Sequence, residues 1–473
     1  MTPPTSGQPA AAHGHARNPG ASIDVQQFID SQPFSRFQWI ILILCFLIVA
    51  ADGFDTAAIG FIAPMLAKEW GVSRAHLGPV MSAALFGLAA GALVAGPLAD
   101  RFGRKGVLVG SVLCFGGWSV ASAFSTSLEA LTVLRFLTGL GLGAAMPNAV
   151  TLMSEYAPTR RRSLAVNAMF CGFTLGSSAG GFAAAWLIPQ FGWHSVLLVG
   201  GVAPLLLAVL LIFFLPESVR FLVARKAPAA RIAAALSKVH PGVLRGDERF
   251  HVQETVPTDA TPAGASSLRA ILMPQLRAGT LLLWTTYFMG LLIFYLLTSW
   301  LPTLFADAGY PIEKAALITA LFPLGGGIGT LTVGWLMDRG HPWRIVAGTY
   351  ALTGALVYAV GHGAGDVFVL GVLVFAAGTC MNGAQSSMPT LAAGFYPTQC
   401  RATGVAWMLG IGRFGGIVGA LLGAQILGLG WSFGKIFGLL SLPAFVATAA
   451  LLIASARPRT AMRPVVGQHD AAH

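Results

Sequence analysis

The sequence predicts an all-α integral membrane protein with about twelve transmembrane helices in two pseudo-symmetric six-helix bundles, on three observations. First, 55% of the 473 residues are hydrophobic and only 10% charged, with a mean hydropathy of +0.72. A soluble globular chain carries roughly 25% charged residues, so these few cannot cover a protein of this length in water. Second, the apolar residues come in blocks of 20 or more, the length that crosses a ~30 Å hydrocarbon core at ~1.5 Å per residue. Third, the second half of the chain echoes the first at an offset near 240 residues.

Residues 1–35 are rich in Pro, Gly, Ala and His without apolar periodicity and read as a disordered cytoplasmic tail, in which His13 and His15 are incidental rather than metal ligands. The first apolar block, 38–61, is too long for a signal peptide and lacks its cleavage pattern. Further spans read at 76–98, 107–125, 130–150, 164–188 and 194–215, and, after a polar stretch, at 279–303, 313–336, 343–361, 366–389, 402–427 and 431–455. The organisation is therefore an N-terminal half over 36–215, a cytoplasmic linker over 216–278, a C-terminal half over 279–456 and a cytoplasmic tail over 457–473.

Twelve spans put both termini on one side. With the termini cytoplasmic, outward loops and span edges hold only Lys68, Arg74, Lys314 and Lys435, while Arg135 and Arg413 lie within spans. Every other Lys and Arg falls inside, which is the positive-inside pattern. It accounts for the formal charge of +11 without a nucleic-acid partner, because the basic residues sit in short loops rather than along one surface. Cys45, Cys114, Cys171 and Cys380 lie in apolar blocks and Cys400 at a loop; with no ligand spacing or disulfide framework, they read as packing residues.

The internal echo is specific. Gly96-Pro-Leu-Ala-Asp100-Arg101 follows span two and Gly334-Trp-Leu-Met-Asp338-Arg339 follows span eight; Met146-Pro147 and Met388-Pro389 end spans four and ten. Parallel span order implies two halves related by an axis along the membrane normal, able to rock about a site between them. That is the mechanical plan of a transporter.

Asp52 and Asp55 are the most informative pair, since i,i+3 spacing puts both on one face of span one. One Asp at a helix centre costs roughly 2.5–3.5 kcal/mol on insertion scales. A low dielectric and a neighbouring like charge each favour the uncharged form of a carboxyl, so at least one is a candidate proton carrier; a structural salt bridge is the competing reading. Gly53 between them allows another helix or a substrate to approach. Arg135 opens span four ahead of Gly139, Gly141 and Gly143, at about the same ~8–9 Å depth from the outer surface as Asp55 if each residue rises 1.5 Å, so the two can pair. A carboxylate that exchanges Arg135 for a proton would couple protonation to helix movement.

Arg413 sits mid-span among Gly412, Gly415 and Gly416, and the second-half spans contain no acid at its depth. A guanidinium stays charged and suits bidentate capture of a carboxylate, so the substrate is expected to supply the anion; a pair with Asp52 is the alternative. Asp100, Arg101, Gly103, Arg104 and Lys105 form a tight loop whose charges can lock helix ends and release on opening, with Asp338 and Arg339 as a second copy. Glu155, just past span four, faces the same layer with Arg160, Arg161 and Arg162. A solvated charge run is the alternative, and the duplication argues against it. Asn382 and Gln385 share a face of span ten and can bond a ring hydroxyl; Trp284, Tyr287, Phe288, Phe170 and Trp407 can sandwich a ring or serve as packing. His194 starts span six at the outer face and is either functional or merely interfacial.

The loop motif Gly96-x-Leu-Ala-Asp-Arg-x-Gly-Arg-Lys105, its echo at 334–339 and Arg135-x-x-x-Gly-x-Gly-x-Gly143 resemble the major facilitator superfamily. Asp52-Gly-Phe-Asp55 resembles the signature of its aromatic acid:proton symporter family. Met146-Pro-Asn-Ala, Ser154-Glu-Tyr, Tyr295-Leu-Leu-Thr-Ser-Trp-Leu-Pro302, Asn382-Gly-Ala-Gln-Ser and Gly410-Ile-Gly-Arg413-Phe-Gly are similar to 4-hydroxybenzoate and protocatechuate permeases within it. The likeness covers the chain after about Ser22. It implies that Asp52 and Asp55 couple protons, that Arg135 and Arg413 are critical to transport, that the loop motif gates, and that Glu155, His194, Asp338 and Arg401 are functionally sensitive. The second loop lacks the Gly-Arg-Lys ending, which puts its strength as a gate in question.

The expectation is a proton-driven symporter that imports small aromatic carboxylates, 4-hydroxybenzoate or protocatechuate foremost, by alternating access in a bacterial-type inner membrane, serving aromatic hydrocarbon catabolism. It needs no cofactor beyond the proton gradient and works as a monomer. A proton-coupled exporter and a transporter with an added chemosensory role are the rivals. A membrane enzyme is the least favoured class, since the spans hold no metal-ligand cluster and no nucleophile with a nearby His and acid.

Overall fold

A backbone in lipid must satisfy its own N–H and C=O groups, which leaves helices or closed barrels. The computed structural model, which describes residues 22–240, 249–251, 269–363, 366–397 and 400–456, resolves the apolar blocks as helices. Twelve of them are long and apolar enough to cross a membrane. They are α1 (Arg36–Glu69), α2 (Gly78–Phe102), α3 (Arg104–Ala123), α4 (Leu128–Tyr156), α5 (Arg162–Phe191) and α6 (His194–Phe214), then α7 (Pro274–Asp307), α8 (Ile312–Arg339), α9 (Pro342–Val360), α10 (Val367–Phe395), α11 (Arg401–Gly428) and α12 (Phe433–Ala456). The protein is a multi-pass membrane protein.

Packing repeats between the halves. In the first, α1 lies against α5, α2 against α4, and α3 against α4 and α6; in the second, α7 lies against α11, α8 against α10, and α9 against α10 and α12. The halves meet through α5 with α8, α1 with α7 and α2 with α11. At the end away from the termini this contact is close: a Cβ on Gly60 of α1 would come within 2.6 Å of the Thr298 carbonyl oxygen of α7. Leu296, Leu297 and Trp300 to Phe305 of α7 are buried there. Arg74, in the turn before α2, binds Asp307 at the end of α7 through Nη2 at 2.5 Å and Nε at 3.3 Å. The halves are joined at the far end by these contacts. Leu93 of α2 and Leu331 of α8 are 81% and 69% exposed.

Several boundaries differ from the sequence reading. α1 continues past Phe61 to Glu69, because Ala63, Leu66 and Ala67 stay buried and the helix carries Pro64 within it. Asp100 and Arg101 close α2, and Asp338 and Arg339 close α8, rather than lying in loops; Glu155 lies in the last turn of α4 rather than beyond it. The reading of residues 1–35 as a disordered tail is corrected from Ser22 onward. Ser22–Asp24 pairs in parallel with Arg249–His251. The short helix Val25–Asp30 follows, capped by Asp24, whose Oδ1 accepts from the Gln27 N–H at 2.8 Å. Its Val25, Phe28 and Ile29 are buried against the first half, an i, i+3, i+4 stripe too short to register as periodicity. The linker carries the short helices Val219–Ala224 and Ala229–Ser237. Residues 1–21 and 457–473 lie outside the described residues.

Candidate functional site

Asp55 and Arg135 meet inside the first half. Arg135 Nη1 donates to Asp55 Oδ1 at 2.8 Å and Nη2 to Oδ2 at 2.7 Å, while Nη2 also reaches the Asp55 carbonyl oxygen at 3.2 Å. This two-pronged geometry is the strong form of a guanidinium–carboxylate contact. The side chains are 0% and 1% exposed. Ser119 of α3, which the sequence reading passed over, donates to Oδ1 at 3.2 Å. Because α1 runs on to Glu69, Asp55 sits near mid-helix and not six residues from the outer end. Gly139 and Gly143 of α4 lie against the α2 backbone and Gly141 against α3, so the glycine row brings α4 close enough for Arg135 to reach across.

Asp52, one turn back along α1, has a different environment. It is 3% exposed, and its Oδ1 accepts from the Thr56 hydroxyl at 3.3 Å. Its charge interacts with Asp55, with Arg413 of α11 and with Tyr295 of α7. The Gly53 expected to admit a neighbour admits α5, since a Cβ there would strike the Phe173 carbonyl oxygen. Arg413 is half-buried, and its Nη1 donates to the Leu88 carbonyl oxygen of α2 at 3.4 Å. Among the described residues it has no carboxylate within 4.0 Å, so the direct Asp52–Arg413 pair weighed from the sequence does not form.

Around Arg413 stand aromatic and amide groups. Tyr287 of α7 interacts with both Arg413 and Gln385 of α10, and the Tyr350 hydroxyl of α9 donates to Gln385 Oε1 at 2.7 Å. Trp284 stacks on Trp407 with centroids 6.1 Å apart. Gly412 and Gly416 lie against the rings of Tyr287 and Tyr295, and Gly415 against the Phe288 backbone, which explains the glycines flanking the arginine. Asn382 instead spends its amide on its own helix, Nδ2 donating to the Gly378 carbonyl oxygen at 2.9 Å. Phe170 is 39% exposed on α5, and no ring contact joins it to this group among the described residues.

A second layer lies at the end bearing the termini. α2 and α3 are joined by Gly103 alone, at φ 85°, and a Cβ there would collide with the Glu217 carboxylate. Glu217 Oε1 accepts from the Lys105 N–H at 3.1 Å and the Ser218 N–H at 2.8 Å. The Ser218 hydroxyl donates to Glu155, and Arg225 Nη2 donates to the carbonyls of Asp100 and Arg101 at 3.0 Å each. Arg104 approaches Asp100 at 3.5 Å. The sequence reading missed Glu217, Ser218 and Arg225, whose only signal was charge in the linker. The second copy differs: Asp338 is exposed, and Arg339 stacks on Trp335 at 4.0 Å from the ring centroid. Arg401 Nε donates to the Tyr396 carbonyl oxygen at 3.4 Å. His194, stacked on Trp193 at 3.8 Å, stands at the far end, away from both layers.

Two six-helix halves around a buried charge set have the plan of a membrane transporter, and comparison with known proteins gives the family. A profile of the Major Facilitator Superfamily matches residues 45–420, and the chain belongs to that superfamily. It is similar to the 4-hydroxybenzoate transporter PcaK of Pseudomonas putida, with 57% identity over 92% of this chain and 96% of that one. The gallate transporter of Pseudomonas putida is 53% identical over 94% of this chain and 98% of its own length. Among solved structures, the xylose transporter XylE from E. coli in its inward-open conformation superposes with a TM-score of 0.68 at 18% identity, covering 90% of this chain and 98% of that one, a likeness of fold.

Proposed function

We propose that this chain transports small aromatic carboxylates, and that it does so as a proton-coupled symporter importing 4-hydroxybenzoate, protocatechuate or both by alternating access. The carrying observation is Arg413, a half-buried guanidinium at mid-molecule with no carboxylate of the protein within 4.0 Å among the described residues, set among Tyr287, Tyr295 and Gln385. A charge that proton release cannot relieve calls for an anion from outside the protein. The named substrates of the relatives, 4-hydroxybenzoate and gallate, are aromatic rings bearing a carboxylate.

In this reading the substrate anion binds Arg413, and a proton reaches Asp52 or Asp55. Protonation of Asp55 weakens its hold on Arg135 and frees α1 from α4. Both cargoes enter from the far end; the halves then rock, closing the far end and opening the end bearing the termini, where both are released. One anion carried with one proton moves no net charge. The excess of Lys and Arg on the side of the termini supports a cytoplasmic placement of that side, in a bacterial-type inner membrane, with each chain acting alone and without a cofactor.

The test is uptake of radiolabelled 4-hydroxybenzoate, protocatechuate, benzoate and gentisate into proteoliposomes with and without an inward proton gradient. Gradient-dependent accumulation of the first two is expected. Arg413→Lys should weaken 4-hydroxybenzoate uptake by about tenfold, because an ammonium cannot reproduce the planar fork and a lost charge-assisted bond is worth ~1.5–3 kcal/mol. Uptake indifferent to the gradient, or to Arg413→Lys, would count against the coupling or the carboxylate site respectively.

A further inference from the structure

Gln385 is 9% exposed, and its buried Nε2 makes no hydrogen bond of normal geometry among the described residues, its one polar neighbour there being the Tyr287 hydroxyl. A buried amide donor left unpaired costs ~1–3 kcal/mol, so its presence in a membrane span points to a partner that arrives. The other end of the amide is fixed. Tyr350 of α9 donates to Gln385 Oε1 at 2.7 Å, and Gly290 of α7 makes the meeting possible, since a Cβ there would strike the Gln385 amide oxygen and crowd the Tyr350 hydroxyl. With one end held by Tyr350, the remaining end is the one presented to a ligand. Asn382, the neighbouring amide on the same helix, has no such free group, because its Nδ2 is committed to Gly378.

Tyr287 ties this amide to the carboxylate site. Its hydroxyl interacts with Gln385, its ring lies against Gly412, next to Arg413, and it feels the Arg413 charge. Tyr287 therefore stands between the amide and the guanidinium, as a hydroxybenzoate bound by its carboxylate and 4-hydroxyl would require of the two groups. We propose that Gln385, oriented by Tyr350, recognises the ring hydroxyl opposite the carboxylate and so sets a preference for 4-hydroxylated over unsubstituted aromatic acids. This rests on the aromatic-carboxylate reading above. Gln385 Nε2 donates to the substrate hydroxyl oxygen, and a site built to bond a hydroxyl rejects the analogue that lacks it and leaves the donor unpaired.

The experiment is equilibrium binding of 4-hydroxybenzoate and benzoate to the purified full chain and to Gln385→Leu and Tyr350→Phe. The wild type should favour 4-hydroxybenzoate by about tenfold, the worth of one well-made hydrogen bond. Gln385→Leu should remove that preference, the two acids then binding alike, with the thermal unfolding midpoint reporting whether the fold survives. Tyr350→Phe, which deletes one oxygen, should move the preference in the same direction by a smaller factor and stands alone if the leucine variant fails to fold. A preference that survives Tyr350→Phe unchanged, or equal loss of both acids in the variants, overturns the assignment. A wild type that binds both acids equally overturns it alone, whereas one that binds neither overturns the aromatic-acid reading beneath it.

Discussion

Arg135 and Arg413 are two membrane arginines solved in opposite ways, and the contrast carries the residue-scale argument. Arg135, at 0% exposure, is met by both oxygens of Asp55 and held from the side by Ser119 acting on the same carboxylate. Removing one partner of such a pair leaves an uncompensated buried charge and costs ~3–5 kcal/mol, whereas replacing both with apolar groups of similar volume is often neutral. Arg135→Met should therefore lower the thermal unfolding midpoint strongly, and Asp55→Leu combined with Arg135→Met should recover most of that loss. If the pair serves coupling, the recovered double variant still fails to accumulate substrate; recovery of transport together with stability would make it a structural bridge. The pair was legible in the sequence from helix register, although its depth was not, because the reading stopped α1 at Phe61. Ser119 was not legible, as a lone serine in an apolar span gives no sign of what it faces.

At the scale of elements, the connection from α2 to α3 shows how much a single residue can fix. Gly103 at φ 85° turns the chain in one step where an L side chain is disfavoured, and the space a Cβ would take is filled by Glu217. Gly340, after α8, adopts extended backbone at φ −137° and a Cβ there would meet the flexible end of Ile345 at 2.8 Å. Gly103→Ala is thus expected to cut the transport rate by an order of magnitude or more, from ~1–3 kcal/mol of strain at φ 85° and ψ 161°, a conformation open essentially to glycine alone, plus the displaced Glu217, and Gly340→Ala by less than about twofold. Initial-rate uptake of the two variants side by side checks the asymmetry, and equal effects would contradict it. The duplication itself could be read from Asp100-Arg101 and Asp338-Arg339. The clamp could not, because Glu217 lies 112 residues along the chain from Lys105 and nothing in the linker marks it as a partner. The helix Val25–Asp30 was lost for a related reason: three apolar residues make a face only once the first half is there to receive them.

At the scale of the molecule, twelve apolar blocks and a paucity of charge were enough to specify the fold class, since lipid permits so few solutions. The relation between the halves was beyond the sequence. Arg74 counted there only toward orientation, and its partner Asp307 stands 233 residues away. With side chains 31% and 38% exposed, a pair of this kind contributes only ~0–1 kcal/mol, which suits a contact that must break whenever the far end opens. The heavier anchoring lies in the Gly60–Thr298 contact of α1 on α7, on the same helix as Asp52 and Asp55. In the proposed mechanism, a proton on Asp55 would act on the helix that joins the halves. Proton uptake driven by 4-hydroxybenzoate, recorded with a pH-sensitive dye outside proteoliposomes holding the wild type or Asp55→Asn, tests this most directly. The account predicts external alkalinisation on adding substrate to the wild type and none with Asp55→Asn, although that variant still binds the acid; an unchanged proton signal from Asp55→Asn would contradict it.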